Sequence, residues 1–138
     1  MKVFIITVVT MCIFTACTRT ELKHHNQTQK MLSTPCQINP EIQRNAIPQT
    51  PNNISLPAFG QGIMGWATGE EGAKQRLETI QQQDVQQLQA QGVTLAMVEE
   101  WQAFYENEVQ RNPCNPTAPY RAALMQKVAM LWGATTSS

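Results

Sequence analysis

A small all-α domain of three or four helices is the fold this sequence predicts, and three observations predict it. No stretch alternates apolar and polar side chains over the length of a strand. Across residues 58–133 the apolar positions recur three and four apart, the spacing of one buried helical face. Those stretches are punctuated by a threonine in front or a glycine behind, the residues that start and stop helices. The scale agrees: 138 residues suit one small domain with appendages and leave no room for a multidomain enzyme. Ten Lys+Arg against ten Asp+Glu give zero formal charge, which excludes the basic excess of a nucleic-acid binder.

The first helix begins at Thr68-Gly69-Glu70-Glu71, which has the form of a capping box, and its buried face is Ala73, Leu77 and Ile80. A second, Gln-rich helix spans 81–91, carries Val85 and Leu88 on one face and stops at Gly92. The third and most strongly patterned helix covers 95–110 with Thr94 as its cap; Met97, Trp101, Phe104, Tyr105 and Glu108 share one side. Asn-Pro pairs at 112–113 and 115–116 make a turn. Thr117 then caps a last helix with Pro119 in its first turn, where a missing N–H costs nothing. Tyr120, Leu124, Val128 and Leu131 form its apolar stripe, Gly133 ends it, and residues 134–138 read as a disordered tail.

Ahead of the domain, residues 1–16 read as a lipoprotein signal peptide. Lys2 precedes an apolar run, shorter than the roughly 20 residues that span a bilayer, and small residues follow. Phe14-Thr15-Ala16-Cys17 resembles a lipobox, with Phe14 in place of the usual leucine. That resemblance implies lipidation at Cys17 with acyl chains such as palmitate, and Thr18 after it points to the outer membrane, facing the periplasm. More than one acyl chain gives stable anchoring where a single chain binds reversibly.

Residues 17–57 are dominated by Gln, Asn, Thr, Ser and Pro and lack the apolar surface to offset the entropy of ordering, so they read as a flexible tether. A tether of this length reaches about 35 Å. Of the four cysteines, Cys12 falls in the removed segment and Cys17 takes the lipid, leaving Cys36 and Cys114 to pair in an oxidising periplasm. Such a bond closes a long loop and staples a core that is otherwise marginal for its size.

Candidate chemistry is sparse. Gly60-Gln61-Gly62-Ile63-Met64-Gly65 has the spacing of a dinucleotide-phosphate loop, but no strand precedes it and no βαβ unit follows; a turn packed around Trp66 is the better reading. Trp66, Trp101 and Trp132 are read as core, with a sugar-stacking platform as the alternative. Glu108 continues the Trp101 and Tyr105 stripe, which suggests a buried ion pair with Arg111 or Arg121. His24 and His25 are solvated tether residues with at most adventitious metal affinity. No histidine occurs in 58–133, which removes histidine-activated nucleophiles there. No cofactor or metal is implied.

Residues 58–130 resemble a family of small bacterial domains of unknown function. The likeness rests on Phe59-Gly60-Gln61-Gly62-Ile63-Met64-Gly65-Trp66, on Trp101-Gln102-Ala103-Phe104-Tyr105-Glu106-Asn107-Glu108, and on Arg111-Asn112-Pro113 with Arg121-Ala122-Ala123-Leu124-Met125. It implies that the glycine loop, the long helix and the last helix form one unit, and it carries no catalytic residues. The expected function is that of an outer-membrane-anchored interaction module for a periplasmic protein or peptidoglycan, with Trp66, Tyr105, Glu108 and Arg111 as its site. An accessory peptidoglycan-acting enzyme and a protective protein against a toxin or lysozyme are the alternatives; the charge of −3 over residues 58–133 would assist the last against a basic target.

Overall fold

The computed structural model describes residues 36–135, with side chains placed to residue 133. The signal peptide, Cys17, His24, His25, the first half of the tether and the tail beyond residue 135 lie outside the described residues. Within them the fold is all-α: α1 (Gly69–Thr79), α2 (Gln82–Ala90), α3 (Leu95–Arg111) and α4 (Ala118–Thr135). No strand occurs among the described residues. Nor is any helix there long and apolar enough to cross a membrane.

Helix α4 is the hub, packing most extensively on α3 and also on α1 and α2. A helix with three neighbours buries a wider arc than one stripe. Leu124 and Val128 are fully buried as their spacing predicts, Met125 joins them, and Tyr120 and Leu131 are only half-buried. On α3 the inward register runs through Val98, Trp101, Phe104, Tyr105 and Glu108, with Val98 in place of Met97. Ala73 of α1, Ile80 just past its end, and Val85 and Leu88 of α2 are also buried in the core.

Helix boundaries follow local chemistry. The Thr94 hydroxyl accepts from Met97 N at 3.2 Å and starts α3. Gly92 adopts φ +84° just past α2, the left-handed conformation that glycine takes without penalty. Thr68 sits at the start of α1, but its side chain makes no capping bond, so the expected box is not formed. The reciprocal bond occurs one helix later, where the Asp84 carboxylate accepts from Gln81 N at 2.7 Å. Helix α4 continues through Gly133 to Thr135, beyond the stop read from the sequence.

Two larger differences concern the segment before α1. From residue 36 onward the chain expected to be a free tether lies along α3. Asn45 N donates to the Asn107 side chain at 3.0 Å, the Asn107 amide donates to Gln43 O at 3.0 Å, and Trp101 Nε1 donates to Gln49 O at 3.0 Å. The physical reason is that a polar segment can be held by hydrogen bonds and a covalent link where apolar burial is scarce. Cys36 and Cys114 supply that link as a disulfide across 78 positions, with Cα atoms 5.4 Å apart. Pro51 is buried and Ile54 packs on the core, so the ordered unit starts some twenty residues before Ala58.

The glycine stretch is the second. Its first part, Ala58–Met64, is a π-helical turn rather than a loop, and it carries Phe59 and Met64 into the core. Gly65 ends it at φ +74°. A methyl group at Gly60 would overlap the Trp66 indole, so this glycine is the seat of that ring.

Candidate functional site

Between the segment along α3, the π-helical turn and the start of α4 lies a cleft of about 310 Å³. Its floor is aromatic. Trp66 and Tyr105 meet edge to face at 5.4 Å between centroids, Trp101 stacks on Tyr105 at 5.8 Å, and Phe104 sits against Trp101 at 5.5 Å. Such offset and edge contacts add to the area these rings bury. Trp66 and Trp101 are 5% and 2% exposed, so both are core side chains that show one surface to the cleft, not a free-standing platform. Trp132 is partly buried against the core elsewhere on α4.

Charge gathers at one wall. Glu108 is 3% exposed, and its Oε1 accepts from Arg111 Nε at 2.8 Å and from Arg44 Nε at 3.1 Å, while Oε2 accepts from Arg111 Nη2 at 3.2 Å. The Arg111 hydrogen bond is the main reason that the Glu108 carboxyl is held below the usual carboxylate range, with the charge of Arg44 adding to it against the cost of burial. The same bond raises Arg111 above its ordinary value. Tyr105 moves upward, because burial disfavours the phenolate more than the nearby Arg121 charge favours it.

Arg121 stands apart from that ion pair. Its guanidinium lies 4.9 Å from the Trp66 ring centroid and 5.6 Å from that of Tyr105, a cation–π arrangement on the cleft wall. Its Nη1 donates to the Tyr105 hydroxyl at a long 3.4 Å. Its Nε is buried without a hydrogen-bond partner among the described residues.

The sequence anticipated Trp66, Tyr105, Glu108 and Arg111 as a site. The first three line one cleft; Arg111 does not line it and serves to hold Glu108. Of the two partners considered for Glu108, Arg111 is the real one, and Arg121 lies on the aromatic rings instead. Sequence reasoning missed Arg44, Ile47, Leu56 and Pro57, all from the supposed tether, which line the cleft with Gln61, Ala67 and Thr68. The buried Trp101 indole was the available signal, since its N–H needs an acceptor that α3 itself cannot provide. No group of three or more His, Cys, Asp or Glu able to hold a metal occurs among the described residues.

A family profile described as "Domain of unknown function (DUF4951)" matches residues 34–132. That span opens two positions before Cys36 and includes the segment along α3. A solved structure titled "NMR structure of the protein from Acinetobacter baumannii" is 58% identical to this chain, covers 70% of it and 90% of its own length, and superposes with a TM-score of 0.60. No curated protein matches the chain.

Proposed function

The chain belongs to the DUF4951 family, whose function is unknown, and from that starting point we propose that it is a lipid-anchored interaction module of the outer membrane, facing the periplasm and binding a protein or the cell wall through the aromatic cleft. The observation that carries this reading is the meeting of Trp66, Tyr105 and Glu108 at one concave surface, with Arg121 in no ion pair among the described residues. Concave, mainly apolar sites with a few fixed polar groups are where ligands bind. The apolar run, Phe14-Thr15-Ala16-Cys17 and Thr18 support the anchor and its membrane.

Catalysis on glycan strands has weaker support. Among the described residues Glu108 is the only carboxylate lining the cleft, and two guanidiniums hold it ionised. Glycoside hydrolysis needs a pair of carboxylates about 5 to 10 Å apart, one of them protonated. A protective role against a basic toxin or lysozyme is not favoured by a cleft whose unpaired side chain is an arginine.

The test is a photoreactive side chain placed in cells at Gln61, an exposed cleft residue, and at Met130, which is 65% exposed on α4. A discrete adduct from position 61 and none from 130 is expected; equal labelling from both would refute the cleft as the site. Labelled palmitate should enter the wild-type protein and not Cys17→Ser.

A further inference from the structure

Taking the cleft as the binding site, we propose that it receives the C-terminus of a protein chain ending in an apolar residue, and that Arg121 binds the terminal carboxylate. The argument begins with charge. Glu108 has both oxygens engaged by Arg44 and Arg111, and no ion pair among the described residues involves Arg121. The cleft lining therefore carries two guanidiniums, Arg44 and Arg121, against the one carboxylate of Glu108, and the surplus is positive.

Arg121 is also held ready. It rests against the Trp66 and Tyr105 rings, while the 3.4 Å contact to the Tyr105 hydroxyl uses one of its five N–H groups weakly. Its buried Nε has no acceptor among the described residues. A guanidinium presents paired donors in a rigid fork that matches the two oxygens of a carboxylate. An incoming carboxylate supplies the negative charge that this cleft-lining guanidinium lacks.

Size and rim choose among carboxylates. About 310 Å³ is at the small end of ligand sites and holds a chain end rather than a glycan strand or a folded surface. Ile47 and Leu56 are large apolar side chains that remain 52% and 44% exposed on the rim. An apolar last residue covers them. The D-alanine end of a wall stem peptide also brings a carboxylate, but its methyl group leaves that rim uncovered.

The test titrates the isotope-labelled protein with an N-acetylated peptide of four alanines and a C-terminal leucine, with the same peptide as its C-terminal amide, and with a peptide ending in two D-alanines. The acid should shift the indole signals of Trp66 and Trp101 and leave that of Trp132 in place, and the amide should bind at least tenfold more weakly. Arg121→Gln should lose tenfold or more, with Arg121→Lys recovering part. The comparison of acid with amide needs no variant, so it stands even if Arg121→Gln disturbs packing. Equal binding of acid and amide, or no shift at millimolar peptide, overturns the proposal; D-alanine ends binding as well as leucine overturn the choice of a protein chain end. Adducts from position 61 together with equal acid and amide binding would sink this inference and leave the module reading standing. Selective acid binding with equal labelling from positions 61 and 130 would leave the carboxylate preference of the cleft standing and refute the cleft as the site used in cells.

Discussion

Arg44 Nε donates to Glu108 Oε1 at 3.1 Å, joining residues 64 positions apart and clamping the segment before the helices onto α3. The Glu108 carboxylate is nearly inaccessible at 4% exposure, Arg111 is 16% exposed and Arg44 is 51% exposed. Removing the glutamate charge leaves two guanidiniums facing each other over an apolar floor. Breaking a buried pair is expensive, but Arg44 can turn to water, so Glu108→Gln should lower unfolding free energy by about 2 kcal/mol. Urea unfolding of the variant checks the magnitude. Faster amide exchange across residues 43–49 in the same variant would locate the loss in the clamp.

The acid limb of the stability profile follows from the same pair. The folded-state pKa of Glu108 lies below its unfolded value, so its contribution is fully present above the ordinary carboxylate range and disappears as pH falls through the depressed value. Stability measured from pH 7 down to pH 2 should decline below about pH 4, where glutamates titrate. The Glu108→Gln protein should show a shallower decline over that window. Parallel curves for the two proteins would mean that Glu108 is not held ionised by its arginines.

The Cys36–Cys114 bond constrains the unfolded chain more than it shapes the helices. A loop of 78 positions corresponds to about 4.5 kcal/mol on the chain-entropy model. Replacing both cysteines by serine should therefore remove most of the stability of so small a domain, with loss up to that value. Because Asn45, Asn107 and Gln49 still bond the segment to α3, the helical circular dichroism at low temperature should be retained. The thermal midpoint, with and without reductant on the wild type, measures the effect directly.

What was readable in the sequence divides by range. The helices were legible because caps and apolar spacing are local: Thr94, Gly92 and the Leu124 and Val128 spacing each act within one or two turns. The disulfide was legible because two cysteines remain once Cys12 of the expected leader and Cys17 of the expected lipobox are set aside. The segment at 36–57 was not, because its order comes from side chains such as Arg44 and Asn45 whose partners lie about sixty positions away, and composition registers only its lack of apolar bulk. For the same reason three of the four anticipated site residues, all helical or in the glycine stretch, came together, while the cleft wall built by Arg44, Ile47 and Leu56 went unseen.

Two glycines two residues apart in the π-helical stretch, Gly60 and Gly62, should respond differently to the same change. A Cβ at Gly60 would overlap the Trp66 indole, whereas one at Gly62 meets nothing within 4 Å. Gly60→Ala should cost about 1 to 3 kcal/mol, the range for overpacking a filled interior. Gly62→Ala should be neutral or slightly stabilising, because alanine loses less backbone entropy on folding. Chemical denaturation of the two variants side by side makes the comparison, and the Trp66 indole signal should move only in the first.

Ala67 ties the cleft's architecture to backbone strain. It lies between Trp66 and Thr68 at φ +47°, a left-handed conformation that costs a residue with a Cβ about 1 to 2 kcal/mol. It lines the cleft, and its methyl group is the nearest atom to where a Cβ on Gly72 would fall, 2.7 Å away, so the turn is pressed closely onto the start of α1. Ala67→Gly relieves the strain but frees the unfolded chain, an opposing cost of about 0.4 to 1 kcal/mol. The balance should be a gain of about 0.5 kcal/mol, read as a higher urea midpoint at unchanged slope. If the strained turn also fixes the wall beside Trp66, the glycine variant should bind the leucine-terminated peptide more weakly while being more stable, a separation of stability from binding that a purely structural turn would not produce.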